Sequence, residues 1–128
     1  MTHIEIYNNH FDFGPQDYRP CEITGDAGVD IHHIYGRILN EQLRSRKIAK
    51  PNNIWNLMSL CRAAHLYFGQ KSEFNSWLWD VHQSFLEDQT PLKEKNPKDP
   101  HLLKFLLVYE RNFRILRDKG DFFEIKEP

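Results

Sequence analysis

Four side chains in the first half of the chain are suited to chemistry on a phosphate: the adjacent pair His32-His33, then Asn56 and His65. A neutral imidazole, with an ordinary pKa near about 6.5, can take a proton from an attacking water at neutral pH. Imidazole nitrogens oriented by neighbouring hydrogen bonds can also hold a divalent cation. Such a cation acts as a Lewis acid on phosphate oxygens and on a leaving 3′ oxygen. Phosphodiester hydrolysis needs both functions at one place.

The elements that would bring these residues together are short. Residues 25–28, Gly-Asp-Ala-Gly, have turn chemistry and feed the β-branched run 29–34, which reads as a strand ending on the two histidines. Residues 51–53 make a turn, residues 54–60 a second short strand carrying Asn56, and residues 61–68 a short helix carrying His65 and stopped by Gly69. A strand–strand–helix unit of this kind can converge all three places on one phosphate. Between the strands, residues 37–50 hold Arg37, Arg44, Arg46, Lys47 and Lys50 against Glu41 alone, a local charge of +4. Arg37, four residues after His33, is the candidate for clamping the scissile phosphate or stabilising product charge.

Set side by side, Ile31-His32-His33-Ile34 and Asn56-Leu57-x-x-Leu60-Cys61-x-x-x-His65 resemble the HNH endonuclease motif. The resemblance spans roughly residues 20–69. It implies a ββα-metal core and cleavage of DNA with one divalent ion, for which Mg, Mn, Ni and Zn all stay open. By the same resemblance His33 matches the general base, and His32 and His65 match the metal ligands. Asn56 matches the family asparagine, read here as orienting the base, with ligation left open. Two departures stand out. Many members carry paired Cys-x-x-Cys knuckles around a structural zinc, whereas this chain has Cys21-Glu22-Ile23-Thr24 and Cys61-Arg62-Ala63-Ala64, so no four-cysteine zinc is expected. Some members add a histidine four residues after the helix ligand, where this chain has Gly69.

The remaining residues read as framework. Residues 1–20 suggest a short strand or irregular arm. Ser72 is a candidate cap for a helix with Phe74, Leu78, Val81 and Phe85 at helical spacing, and residues 89–98 read as a loop. Asp99-Pro100 opens a last helix with an apolar stripe from Leu102 to Leu116, with Gly120 past its end. Trp79 lies off its helix's stripe, a hint of an exposed aromatic for a protein partner. Asp30 reads as a turn or salt-bridge residue, with metal ligation as the other reading. His3, His10, His82 and His101 lack a partner pattern and read as surface or partly buried residues.

At 128 residues the chain reads as one α+β domain, a motif core at 20–69 with a helical extension at 70–128. Its formal net charge of −1 leaves any nucleic-acid affinity to local patches. Two cysteines are too few for a disulfide scaffold. The start lacks the marks of a secretory signal, and no apolar run approaches the roughly 20 residues that span a membrane. The expected setting is cytoplasmic, a host cell's cytoplasm if the chain is phage-encoded. The expected partner is DNA, with a phage or host protein and a second copy of the chain as further partners the reading admits. The competing function is a non-catalytic nucleic-acid- or protein-binding module that keeps the ββα fold.

Overall fold

The two histidines sit on the first strand of an antiparallel hairpin. The structure, a computed structural model, describes residues 1–36 and 41–118, with side-chain detail to Tyr109. Strand β1 (Asp30–His33) pairs with β2 (Leu57–Leu60) in the register Asp30 to Leu60, Ile31 to Ser59, His32 to Met58 and His33 to Leu57. Only the second half of the 54–60 run is strand: Ile54–Asn56 form a 3-10 turn, capped by the Asn53 side chain accepting from the Trp55 N–H. Helix α3 (Arg62–Phe68) follows β2 directly and ends at Gly69, whose N–H bonds the His65 carbonyl.

Successive strand residues face opposite sides of a sheet. Ile31 and Leu57 join Tyr7 in a small apolar cluster on one side of the hairpin. Asp30 and His32 face α3 on the other. The small cluster is roofed by α1 (His3–Phe11), where the sequence reading expects a strand or arm. The cause is a capping box: the Thr2 hydroxyl accepts from the Glu5 N–H, and the Glu5 carboxylate accepts from the Thr2 N–H.

The larger core lies behind α3. Phe68 packs there with α4 (Asn75–Asp88) through Leu78 and Val81, and with α6 (Pro100–Asp118) through Leu102 and Phe105. Ser72 is not the cap of α4; it opens a separate 3-10 turn, Ser72–Phe74. The 89–98 segment is not all loop, since α5 (Leu92–Lys95) stands within it. Asp99 does cap α6, accepting from the His101 and Leu102 N–H groups, and its other oxygen takes the Trp77 indole N–H. Within the long connection between the strands, α2 (Glu41–Ser45) buries Leu43. The stripe positions Phe113 and Leu116 lie beyond the described side chains, and Gly120 beyond the described residues. The architecture is a small α+β arrangement, and among the described residues no helix is long and apolar enough to cross a membrane.

Candidate functional site

The strand alternation that buries Ile31 also separates the two adjacent histidines. His32 turns towards α3, where its ring meets that of His65 edge-on at 4.9 Å between centroids. It is 91 % buried, and its Nε2 is a buried nitrogen with no hydrogen-bond partner. A polar atom in that position loses its water without compensation unless something else binds it. Burial first, then the nearby His65 and His33, bring the His32 pKa down to about 4. The ring is therefore neutral at pH 7, with a lone pair to offer.

His65 is held from behind. Its Nδ1 lies 3.0 Å from Asp30 Oδ2, and Asp30 is in turn bridged by the Arg62 guanidinium at 2.9 Å. Partial burial raises the Asp30 pKa, but the hydrogen bonds from Arg62 and His65 outweigh it and hold the carboxyl below the usual carboxylate range. Since the carboxylate only accepts, His65 Nδ1 carries a proton, and in the neutral ring Nε2 is the nitrogen with the lone pair. Asp30 thus makes the ion pair expected of it and also orients a histidine. A carboxylate behind an imidazole is the usual support of a metal-binding histidine. The side chains present accordingly fit a divalent ion held by His32 and His65. Among the described residues, however, no group of three His, Cys, Asp or Glu side chains converges as a metal cluster.

Gly69, at the end of α3, brings no side chain to the two rings. A Cβ at this position would lie 2.7 Å from His65 Cδ2 and 3.2 Å from His32 Cε1. The His65 carbonyl oxygen, at 2.6 Å, and the two rings together fill the space into which a side chain from residue 69 would grow. A cavity of about 380 Å³ opens here, lined by His32, His33, His65 and Gly69, with Gln70 and Asn75 among the polar groups on its wall.

His33 reaches that cavity from the end of β1, with its ring directed towards α1. It contacts the His3 ring at 4.8 Å between centroids, and its Nε2 lies 2.7 Å from Asn52 Oδ1. Neither contact is foreseen from the sequence, which reads His3 as a surface or partly buried residue without a partner pattern and Asn52 as part of a turn.

Asn56 is fully buried, and its amide is consumed by backbone. Its Oδ1 accepts from the Tyr35 N–H at 2.9 Å, and its Nδ2 donates to the carbonyls of Tyr35 at 3.2 Å and Pro51 at 3.0 Å. It ties the segment leaving His33 to the segment carrying Asn52. The geometry is that of a brace.

Arg37 lies outside the described residues. Of the other basic residues nearby, Arg46 is committed to packing: its guanidinium stacks over Tyr35 at 4.6 Å and Trp79 at 5.0 Å and donates to the Tyr35 hydroxyl. Trp79 is correspondingly half-buried between elements and not the exposed aromatic that its place off the stripe suggests. Arg44, Lys47 and Lys50 are exposed.

The knuckle positions come together without four thiols. Cys21 and Cys61 are both free and buried. Cys61 is pushed up by its hydrogen bond to Cys21 and by burial, and its sulfur accepts from the Thr24 hydroxyl. Ala64 fills the fourth position as an apolar core residue. The first N–H groups of α5 bond the carbonyls of Glu22 and Ile23, so a helix from the C-terminal extension braces this loop.

Next to it lies a network absent from the sequence reading. Glu22 is fully buried and accepts from the Tyr7 hydroxyl at 2.5 Å, the Ser59 N–H at 3.1 Å and His82 Nδ1 at 2.6 Å. The other nitrogen of His82 donates to the Ile54 carbonyl at 2.6 Å. Burial alone lowers the pKa of His82. Facing only acceptors, it is instead raised by the Glu22 charge and hydrogen bond and by the Ile54 carbonyl. This correction to the surface or partly buried reading of His82 was recoverable: His82 lies four residues after Leu78 and three before Phe85, on the apolar face.

No protein-family model, curated protein or solved structure matches this chain.

Proposed function

We propose that this chain is a metal-dependent DNA endonuclease of the HNH type, with β1, β2 and α3 as its ββα-metal core. The observation that carries the reading is the buried, unpartnered His32 Nε2 beside an Asp30-held His65, in a cavity that His33 also lines. His32 and His65 would hold one divalent ion, and bound there it supplies Lewis-acid stabilisation to the phosphate and the leaving oxygen. His33 takes the proton from the attacking water as the new P–O bond forms and the P–O3′ bond breaks. Asp30 keeps His65 in one tautomer and one orientation. Asn56 ties the backbone that leaves the catalytic imidazole to the backbone next to Asn52, so that a hairpin only four residue pairs long can hold it in register.

Binding to DNA in this reading is mostly to the phosphate backbone, through exposed basic residues such as Arg44, Lys47 and Lys50, and therefore weakens steeply with salt. One such site nicks one strand, and a pair of chains would be needed to break both.

The test is supercoiled-plasmid cleavage in EDTA and in Mg²⁺, Mn²⁺, Ni²⁺ or Zn²⁺, with His33→Ala alongside. The expected outcome is metal-dependent nicking that falls by about 10²- to 10⁴-fold in the variant, the usual worth of a positioned general base. DNA binding without cutting by either protein would favour the alternative, a binding module built on the same fold. The presence of two histidines where three ligands are common is the observation on that side.

A further inference from the structure

We infer that Asn52 is the positioning residue of the general base, fixing His33 as the Nε2–H tautomer so that Nδ1 is the atom that takes the proton. The inference rests on the nuclease reading for the word base, while the contact itself is independent of it.

An imidazole that serves as a base must hold its proton on one nitrogen and its lone pair on the other. The atom facing His33 Nε2 at 2.7 Å is the side-chain oxygen of Asn52, and an amide oxygen only accepts. Nε2 therefore donates, and Nδ1 keeps the lone pair. Two further features hold the arrangement. The His3 ring lies against His33 at 4.8 Å, tilted by 40°, and opposes rotation of the imidazole out of place. Asn52 itself sits between two fixed points: Asn56 Nδ2 binds the Pro51 carbonyl on one side, and the Asn53 side chain caps the next turn on the other. The same Asn56 amide accepts from the Tyr35 N–H, two residues after His33. A single brace thus ties the base and its orienting residue together.

Asn52 is exposed, so replacing it leaves the core untouched. The experiment reads the ¹⁵N shifts of the His33 ring in the full-length protein, at a pH where that imidazole is neutral, for wild type, Asn52→Ala and Asn52→Asp. Plasmid nicking is measured on the same three proteins. The expected result is a single Nε2–H tautomer in the wild type. The tautomer should persist in Asn52→Asp, whose carboxylate also accepts, and give way to a mixture in Asn52→Ala. Nicking should fall by about tenfold in Asn52→Ala, the order expected for one positioning hydrogen bond, and recover in part in Asn52→Asp. A wild-type His33 protonated on Nδ1 overturns the inference, as does an Asn52→Ala protein with the wild-type tautomer and rate. If the tautomers behave as expected but the wild type does not nick, the contact stands and the nuclease reading is what falls.

Discussion

At the scale of single residues, the site is a set of nitrogens whose partners determine which ones remain free. Asp30 occupies His65 Nδ1, which leaves Nε2 for a ligand, while the His32 Nε2 has no protein partner. Replacing Asp30 with Asn keeps the size of the side chain but loses the charge, and the amide can turn a donor towards His65. Affinity for Ni²⁺ or Zn²⁺, measured by calorimetry on the apo protein, should drop by about 10- to 100-fold. Affinity equal to wild type would remove Asp30 from the support of the site. The measurement does not depend on cleavage and tests the metal assignment separately.

At the scale of elements, short pieces hold position through their caps and braces. A nine-residue helix is marginal on its own, and α1 is secured by its capping box and by Tyr7 buried over the hairpin. Removing the hydroxyl in Thr2→Ala should cost about 1 kcal/mol, read as a lower urea midpoint with an unchanged slope. Since α1 carries His3 against His33, the same substitution should broaden the His33 ring signals. A change in stability with those signals undisturbed would mean that α1 does not steady the His33 ring. Asn56 and Gly69 act at the same scale, one tying two loop segments together and the other leaving room for two imidazoles.

For the molecule as a whole, the Tyr7–Glu22–His82 network joins α1, the knuckle loop, β2 and α4 through fully buried polar groups. The pKa of His82 is raised in the folded state, so folding takes up a proton that the unfolded chain has lost above about 6.5. That stabilisation is complete below this pH and fades as pH rises through the folded-state value. The Tyr7 hydroxyl, also raised by burial and by Glu22, acts only above about 10. Between about pH 6.5 and 10 urea midpoints should therefore fall with pH more, or rise less, in the wild type than in His82→Gln. Truncation in His82→Ala should cost about 3–5 kcal/mol, because Glu22 is left buried beside an empty space. The same pH dependence in wild type and His82→Gln would mean that His82 is neutral in the folded protein.

How much was legible follows from how local each feature is. The strand of His32-His33, the helix of His65 ended by Gly69 and the cap at Asp99 rest on neighbours within a few residues, and the sequence alone determined them. It also determined the order and spacing of His32, His33, Asn56 and His65. The Thr2-x-x-Glu5 pair was equally local and readable, though the short apolar pieces around it resemble a strand. Only the tertiary structure decided the rest. The period of two along β1 sends adjacent histidines to opposite faces, and what each meets there comes from α3 or from α1 and the turn before β2. Arg46 spends its charge over two aromatic rings, and Glu22 finds His82 sixty residues away. The physical reason is that a polar group's role depends on the partner that replaces its water, and for these groups that partner is distant in sequence.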